Sequence, residues 1–312
     1  MPDHVEPPTG TAPDEADQPA HRSGICAIVG RPNVGKSTLL NAILGEKVAI
    51  TTPVPQTTRH AIRGILTRPG SQIVFVDTPG VHKPKTLLGS RLNDVAQNAL
   101  DGVDVAVLVT DGAKGVGRGD AYLAELLAAS GLPLVGVVNK VDRIGRNAQL
   151  PELAALAELA EFDEIVPISA RRGEQVDVLV DLITARVSEG PPLYPPAMVT
   201  DVDLAHRVAE LVREKAMVAM REEVPHSIAV VVEEMGPGRS DGVTAVYATI
   251  YVERDSQKGI VIGRQGAVLA QIGTDARPEV EALIGTKVYL DLRVKLAKEW
   301  QRDPKKLTEL GY

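Results

Sequence analysis

Gly30-Arg31-Pro32-Asn33-Val34-Gly35-Lys36-Ser37, with Thr38 behind it, is the stretch whose reading decides the fold. It fits G-x-x-x-x-G-K-S, and it has the flanks that the pattern requires. Ahead of it, Ile25-Cys26-Ala27-Ile28-Val29 is an apolar run of strand length. Behind it, Thr38-Leu39-Leu40-Asn41-Ala42-Ile43-Leu44 reads as a helix that ends at Gly45. Glycines let backbone N–H groups turn inward on phosphate oxygens, and the helix N-terminus adds favourable partial charge. In such a loop Lys36 reaches the β- and γ-phosphates and the Ser37 hydroxyl ligates Mg²⁺. The bland alternative is a glycine turn joining strand to helix, and strand, loop, Lys-Ser and helix together outweigh it.

Outward from this loop, strand-like runs at 24–29, 61–66, 72–76, 103–109, 134–138 and 164–168 alternate with helical stretches such as 121–129 and 176–187. Several runs are rich in Val and Ile without clean alternation, as expected of strands covered on both faces. The expectation is a doubly wound α/β domain over 24–189. Residues 1–23 are rich in Pro, Asp, Glu and Thr and read as a disordered tail. Gly190-Pro191-Pro192-Leu193-Tyr194-Pro195-Pro196 breaks helix and strand, so 190–200 reads as a stiff linker. A smaller α+β module follows over 201–312. It has a helix at 203–220, strands at 227–233 and 244–252, an apolar run at 259–262, and helices from 267 and near 276–284. A strand at 287–294 and a short terminal helix complete it.

Four further motifs stand in the α/β part, three of them at strand ends. Asp77-Thr78-Pro79-Gly80 places a carboxylate where it can hold the Mg²⁺ shell and a Gly80 N–H where it can face a γ-phosphate. Alone it is a common turn; after a phosphate-binding loop it becomes functional. Asn139-Lys140-Val141-Asp142 offers a carboxylate to the N1–H and N2–H₂ donors of guanine. Adenine, with an acceptor at N1, would leave Asp142 unpaired. Asn139 would brace the loop, the Lys140 stem would cover the ring, and Ser169-Ala170 would present a backbone N–H to guanine O6. Gln56-Thr57-Thr58-Arg59-His60 lies where a mobile switch would lie, and a Thr hydroxyl there can complete the Mg²⁺ shell. Thr58, beside Arg59, is preferred over Thr57. Val81 stands where many signalling GTPases carry a water-orienting Gln. An aliphatic side chain cannot do that, which implies slow intrinsic hydrolysis or water positioning by other means.

In the C-terminal module, Ile262-Gly263-Arg264-Gln265-Gly266 is a Gly-x-x-Gly loop leading into a helix. Glycines there let a nucleic-acid backbone approach closely. Most such loops alone are plain turns; the α-β-β-α-α-β order and nearby Lys258 and Arg264 favour RNA here. Lys295, Lys298, Arg302, Lys305 and Lys306 form a basic end that is either a second phosphate contact or a solvated face.

Bulk properties narrow the classes. The 312-residue chain has a net charge of −7, which alone argues against a nucleic-acid binder. From Ser240 onward, however, 11 Lys/Arg face 10 Asp/Glu, so that part carries +1 and the remainder −8. Aromatic residues make up 3%, which disfavours base stacking as the main binding device. The one cysteine, Cys26, excludes an intrachain disulfide and fits a reducing compartment. No apolar run reaches the ~18–20 residues of a membrane span, and the first residues lack the basic and apolar regions of a signal peptide.

Taken together, the nucleotide motifs and the Gly-x-x-Gly module resemble an Era-type GTPase with a C-terminal type II KH domain, over about residues 24–312. Gly30 to Asn41, Gln56 to His60, Gln257 to Gly266 and the closing Leu310-Gly311-Tyr312 are specific to that group. The resemblance implies binding of GTP/GDP and Mg²⁺, with Gly30 to Thr38, Asp77 to Gly80, Asn139, Lys140, Asp142, Ser169 and Ala170 at the nucleotide. It implies Ser37, Thr58 and Asp77 at the metal, and Lys36, Thr58, Gly80 and Asn33 in hydrolysis. Lys258, Gly263, Arg264, Gln265, Gly266, Lys295 and Lys298 would meet RNA. The partner it implies is the 3′ end of 16S rRNA in the 30S ribosomal subunit. It also implies a monomer in the cytoplasm, able to associate peripherally with the inner membrane. Related GTPases with an aliphatic residue at the Val81 position use K⁺ held partly by an Asn such as Asn33. Two alternatives remain. One is a P-loop kinase or ATPase, which Asn139-Lys140-Val141-Asp142 opposes. The other is a GTPase whose C-terminal module serves a protein or membrane partner.

Overall fold

The computed structural model describes residues 21–80, 86–220 and 224–312. The expected tail thus lies almost wholly outside the described residues, as does Val81. Of its last residues, Arg22 and Ser23 are already in the first strand, β1 (Arg22–Val29), because both find ladder partners in Ser71 and Gln72.

β1 is the middle of a six-stranded sheet with β2 (Ile62–Arg68), β3 (Ser71–Asp77), β4 (Val105–Asp111), β5 (Leu134–Asn139) and β6 (Glu164–Pro167), in the order β2-β3-β1-β4-β5-β6. β2 runs antiparallel to β3, and the other pairings are parallel. Every residue of β3, β4 and β5 is buried. Their apolar runs are continuous because both faces are covered. One face packs Cys26, Ile28, Phe75 and Val107 against α1 (Lys36–Leu44) and α5 (Val176–Thr184). The other packs Ala27, Val29, Leu108 and Val138 against α3 (Arg118–Ala128) and α4 (Arg146–Ala157). Burial pushes the Cys26 thiol far up, so this cysteine is a packing group.

The Pro-rich segment does not hang free. Gln72 accepts from the backbone N–H of Leu193 and Tyr194 at 2.7 and 2.8 Å and donates to Tyr194 O at 2.9 Å. Ile65 N donates to Val199 O at 2.8 Å. The segment therefore covers the β2 edge, which would otherwise expose unpaired backbone groups.

Beyond it, β7 (Ala229–Pro237), β8 (Val243–Val252) and β9 (Lys287–Leu296) form a second sheet in that order, β7–β8 antiparallel and β8–β9 parallel. α6 (Leu204–Ala219), capped by Asp203 on His206 N at 2.8 Å, and α8 (Ala267–Ile284) share its core through Val208, Val212, Ile272 and Val280. Two expectations change here. The run 259–262 is the last part of a helix, α7 (Asp255–Ile262), and the two helices expected after Gly266 are one. Arg277-Pro278 looks like a boundary. Yet Ile272, Ala276 and Val280 keep helical spacing across it, and their burial outweighs the hydrogen bond that Pro278 cannot make. A terminal helix, α9 (Pro304–Glu309), returns to the first half. There Leu307 and Trp300 pack with Leu88 and Leu92 of α2 (Leu87–Asn98). Among the described residues, no helix is long and apolar enough to cross a membrane.

Candidate nucleotide and RNA site

All the nucleotide motifs meet at the C-terminal edge of the parallel strands, as the topology of an open α/β sheet requires. The loop after β1 enters α1 through Gly35, whose φ of 104° only glycine adopts easily. Gly30 is equally constrained: a Cβ there would stand 2.5 Å from Val109 O. Lys36 is buried and donates from Nζ to Gly30 O at 3.0 Å and Arg31 O at 3.3 Å, folding back over the loop. Burial pushes its pKa down, and Asp77 pulls it partly back.

Three oxygens gather beside it. Ser37 Oγ donates to Asp77 Oδ2 at 2.6 Å, Thr58 Oγ1 donates to the same atom at 3.2 Å, and the two hydroxyls lie 2.8 Å apart. Asp77 is fully buried, and burial raises its pKa against the opposing pull of Lys36 and the two hydroxyls. Its Oδ1 has no hydrogen-bond partner among the described residues. A buried carboxylate oxygen without a donor is costly unless something else meets it. Two hydroxyls and one such oxygen are hard donors suited to Mg²⁺, which takes few protein ligands and completes its shell with water and phosphate. Thr78 Oγ1 pins the next turn to Ile28 O at 3.0 Å. Gly80 abuts the loop so closely that a Cβ would lie 2.8 Å from Pro32 N. A cavity of about 320 Å³ opens here, lined by Asn33, Lys36, Ser37, Thr58 and Gly80 among others.

A neighbouring cavity of about 290 Å³ shares Gly35, Thr38 and Lys140 with it and adds Asn139, Asp142 and Ala170. Asn139 braces two loops, donating from Nδ2 to Val34 O at 2.8 Å and accepting at Oδ1 from Lys140 N and Ala170 N. Lys140 Nζ is held by Asn33 O and, at 2.7 Å, by Asp111 Oδ2, which lays its stem along the cavity. Ser169 Oγ donates to Asp142 Oδ1 at 2.8 Å and orients that carboxylate. The Ala170 N–H donates to Asn139 Oδ1 and the Ser169 N–H to Glu174 O, which ties Ser169-Ala170 to the loops that Asn139 braces. Buried N–H groups find partners within the fold. The Arg31 side chain is not among those lining the cavity. Its guanidinium turns from the cavity to Asp120, at 2.7 Å, and to Gly115 O at 3.0 Å. Asp111 is the residue that sequence reasoning missed; its only signal was its place at the end of a strand.

The segment carrying Thr58 continues straight into the second half. Arg59 is buried, donating to Ile228 O at 2.7 Å, His226 O at 2.9 Å and the Tyr312 hydroxyl at 3.2 Å, and it lies over the rings of Trp300 and Tyr312. His60 stacks on Tyr312 with centroids 5.0 Å apart. On the other side Arg213 of α6 donates to Thr57 O. None of these partners was legible in the sequence.

The Gly-x-x-Gly loop is built as expected. Gly263 (φ 73°) ends α7 and Gly266 (φ 80°) starts α8, with Arg264 and Gln265 exposed between them. From Gly266 a groove of about 380 Å³ runs along Ala270, Gly273, Thr274 and Arg277, with Leu290 and Leu292 of β9 opposite. Arg277 and Gly273 were not foreseen. Lys258 lies on α7, half-buried. Lys295 and Lys298 do not line the groove; Lys295 pairs with Glu233 at 2.8 Å, and Lys298 is exposed beyond β9.

Residues 25–140 match the family model of a 50S ribosome-binding GTPase, and residues 223–301 match the KH domain model. GTPase Era of a Nocardioides species is 49% identical over 305 residues, 95% of this chain and 97% of that protein. GTPase Era of Mycobacterium tuberculosis is 51% identical over 296 residues, 93% and 98% of the two. Among solved structures, a variant of Aquifex aeolicus Era bound to GDP·AlF₄⁻ superposes with a TM-score of 0.91 at 41% identity, covering 93% of this chain and 99% of that one. So does Era in complex with MgGDPNP and nucleotides 1506–1542 of 16S ribosomal RNA, with a TM-score of 0.91 at 41% identity and 94% and 99% covered.

Proposed function

Since this chain belongs to the Era family of GTPases, we propose that it is a GTP-driven switch whose nucleotide state governs how its C-terminal half holds RNA. We infer that the RNA is the 3′ end of 16S rRNA, engaged in the cytoplasm while the 30S subunit matures. The layout we assign is a G domain at 24–189, a strap at 190–200 and a KH domain at 201–312.

The loop Gly30–Thr38 holds the phosphates of GTP or GDP with its backbone N–H groups, and Lys36 Nζ exchanges Gly30 O and Arg31 O for phosphate oxygens. Ser37, Thr58 and Asp77 would hold Mg²⁺, which supplies charge neutralisation at the β- and γ-phosphates when bound. The Gly80 N–H faces the γ-phosphate, so its own turn reports whether that group is present. Asp142, aimed by Ser169, accepts the two donors of guanine, and Lys140 lies against the ring. Hydrolysis yields GDP and phosphate, and with the γ-phosphate gone Thr58 and Gly80 lose the group that ties them to the nucleotide.

The observation that carries the switch reading is the adjacency of Thr58 and Arg59. One side chain stands at the metal corner, and the next is buried among Ile228, Trp300 and Tyr312 of the C-terminal half. Release of the first therefore loosens the grip on the second. The RNA reading is supported by the groove between α8 and β9, whose small residues and apolar floor suit unstacked bases beside the Gly263–Gly266 loop.

The test is cross-linking and sequencing of RNA bound in cells, comparing wild type with the double variant Gly263→Asp, Gly266→Asp. Reads gathered at the 3′ end of 16S rRNA and lost in the variant are expected. Diffuse reads in both would refute the ribosomal reading and point to a protein or membrane partner for the C-terminal half.

A further inference from the structure

The peptide that carries Thr58 is gripped from both sides by the C-terminal half. On one side stands α6. Its Glu214 accepts from Thr51 N at 2.9 Å and from Lys47 Nζ at 2.6 Å, and its Arg213 donates from Nη2 to Thr57 O. On the other side, Ile228 O and His226 O hold Arg59. Arg213 is fully buried, and Glu210 brackets it through Nε and Nη2 at 2.6 Å each. A guanidinium held this way has one orientation and so defines where Thr57 O must lie. Thr57 O and the Thr58 backbone share one planar peptide unit. Holding the carbonyl restrains the plane and the position of the Thr58 Cα at its far end, and the Thr58 side chain swings from that anchored Cα to place Oγ1 2.8 Å from Ser37 Oγ.

We propose that Arg213 is a positioning residue for GTP hydrolysis: acting through Thr57 O, it aims the Thr58 hydroxyl at the Mg²⁺ corner of the site. The C-terminal half is then part of the catalytic apparatus as well as its output. A displacement of α6, such as RNA entry along the neighbouring α8 would cause, acts on the metal ligand through a single peptide plane. This inference rests on the reading of Thr58 as a metal ligand.

The experiment uses the full chain and two nucleotides, the non-hydrolysable analogue GDPNP and GDP, each titrated over a range of Mg²⁺ concentration. Thr58→Ala, Arg213→Lys and the double variant are compared with wild type, and melting temperature is followed alongside. Lysine keeps a positive charge for Glu210 but lacks the fork that reaches Thr57 O as well. For Arg213→Lys the expected result is about a 10-fold loss of GDPNP affinity, the scale of one lost charged hydrogen bond. The half-saturating Mg²⁺ concentration rises in parallel, and GDP affinity stays within about two-fold. The double variant should be no worse than Thr58→Ala, because both changes remove the same ligand. If Arg213→Lys does not fold, Glu210→Gln loosens the same guanidinium, and a smaller loss confined to GDPNP is expected.

A residue that only glues the halves together would lower the melting temperature and weaken both nucleotides alike. That outcome, or a loss that multiplies with Thr58→Ala, overturns the proposal. Should Thr58→Ala itself leave the Mg²⁺ requirement unchanged, the ligand reading fails instead, and the two failures are told apart.

Discussion

Acid should open the junction between the two halves through His60. Its ring stacks on Tyr312 and meets His206 edge-on at 4.6 Å. Burial, then the positive potential of His206, Arg213 and Arg59 against the pull of Glu210, lowers its pKa to about 4 from 6.5. A histidine with a depressed folded pKa binds fewer protons in the closed state than in the open one. Stability is therefore constant above pH 6.5 and falls as pH drops from 6.5 toward 4. Integrating between those two values gives little loss at pH 7 and a loss of about 2 kcal/mol at pH 5. Glu210 does not blur this window. Burial raises its pKa, but Arg213 outweighs that and holds it at about 2, so its contribution is lost only below pH 4.5. The natural probe is Trp300, the chain's one tryptophan, buried at the junction 5.3 Å from Tyr312. Urea unfolding of the nucleotide-free protein, read by Trp300 emission, should show wild type losing about 2 kcal/mol more than His60→Phe on going from pH 7 to pH 5. Phenylalanine keeps the stack and removes the proton site. Equal losses in the two proteins would refute the reasoning.

Four other outcomes are expected. Asp142→Asn should lower GTP affinity by about 10⁴-fold and favour XTP, whose C2 carbonyl accepts from the new amide; a competition assay reads both. Gly80→Ala puts a Cβ 2.8 Å from Pro32 N, backbone that cannot yield. Single-turnover hydrolysis should slow about 100-fold while GDP binding is nearly kept. Arg277→Ala, in the α8 groove, should weaken RNA binding and flatten the slope of log K against log salt by about 0.7. Lys295→Ala, whose charge already faces Glu233, should flatten it less. Finally, we expect turnover to fall when Na⁺ replaces K⁺, and Asn33→Ala to abolish that difference; unchanged rates in both experiments would remove K⁺ from the mechanism.

Most of the nucleotide motifs stand out in the sequence because they are short runs at a strand end, where the chemistry and the local backbone are written in neighbouring residues. Gly35, Lys36 and Ser37 need no distant partner to be recognised. The surroundings of Ala170 lie outside what a local run can tell. Its N–H is committed to Asn139, thirty-one positions away, and only the assembled fold shows which buried donor is already taken. The pairing of the Arg31 guanidinium with Asp120 of α3 is equally a matter of the assembled fold. The merged α8 shows a local signal overruled: Arg277-Pro278 reads as a break, while burial of Ile272, Ala276 and Val280 along one face decides for continuity.

The junction is the part that no periodicity or motif could disclose, and its residues explain why. Arg213, Glu214 and Trp300 look like ordinary helix or tail residues in sequence. Their partners, Thr57 O, Thr51 N, Ser227 O and Tyr312, are backbone atoms or lie far off along the chain. Backbone acceptors leave no trace in residue type. Arg59 alone carried a hint, since a charged side chain between Thr58 and an apolar-turning strand must either reach solvent or find several acceptors at once. It finds Ile228 O, His226 O and the Tyr312 hydroxyl. Burying a guanidinium this way is favourable only while all three acceptors stay in place. The segment next to the Ser37–Thr58–Asp77 corner thus closes together with the C-terminal half or opens away from it. A half-closed junction would strand a buried charge, which makes the coupling close to all-or-none.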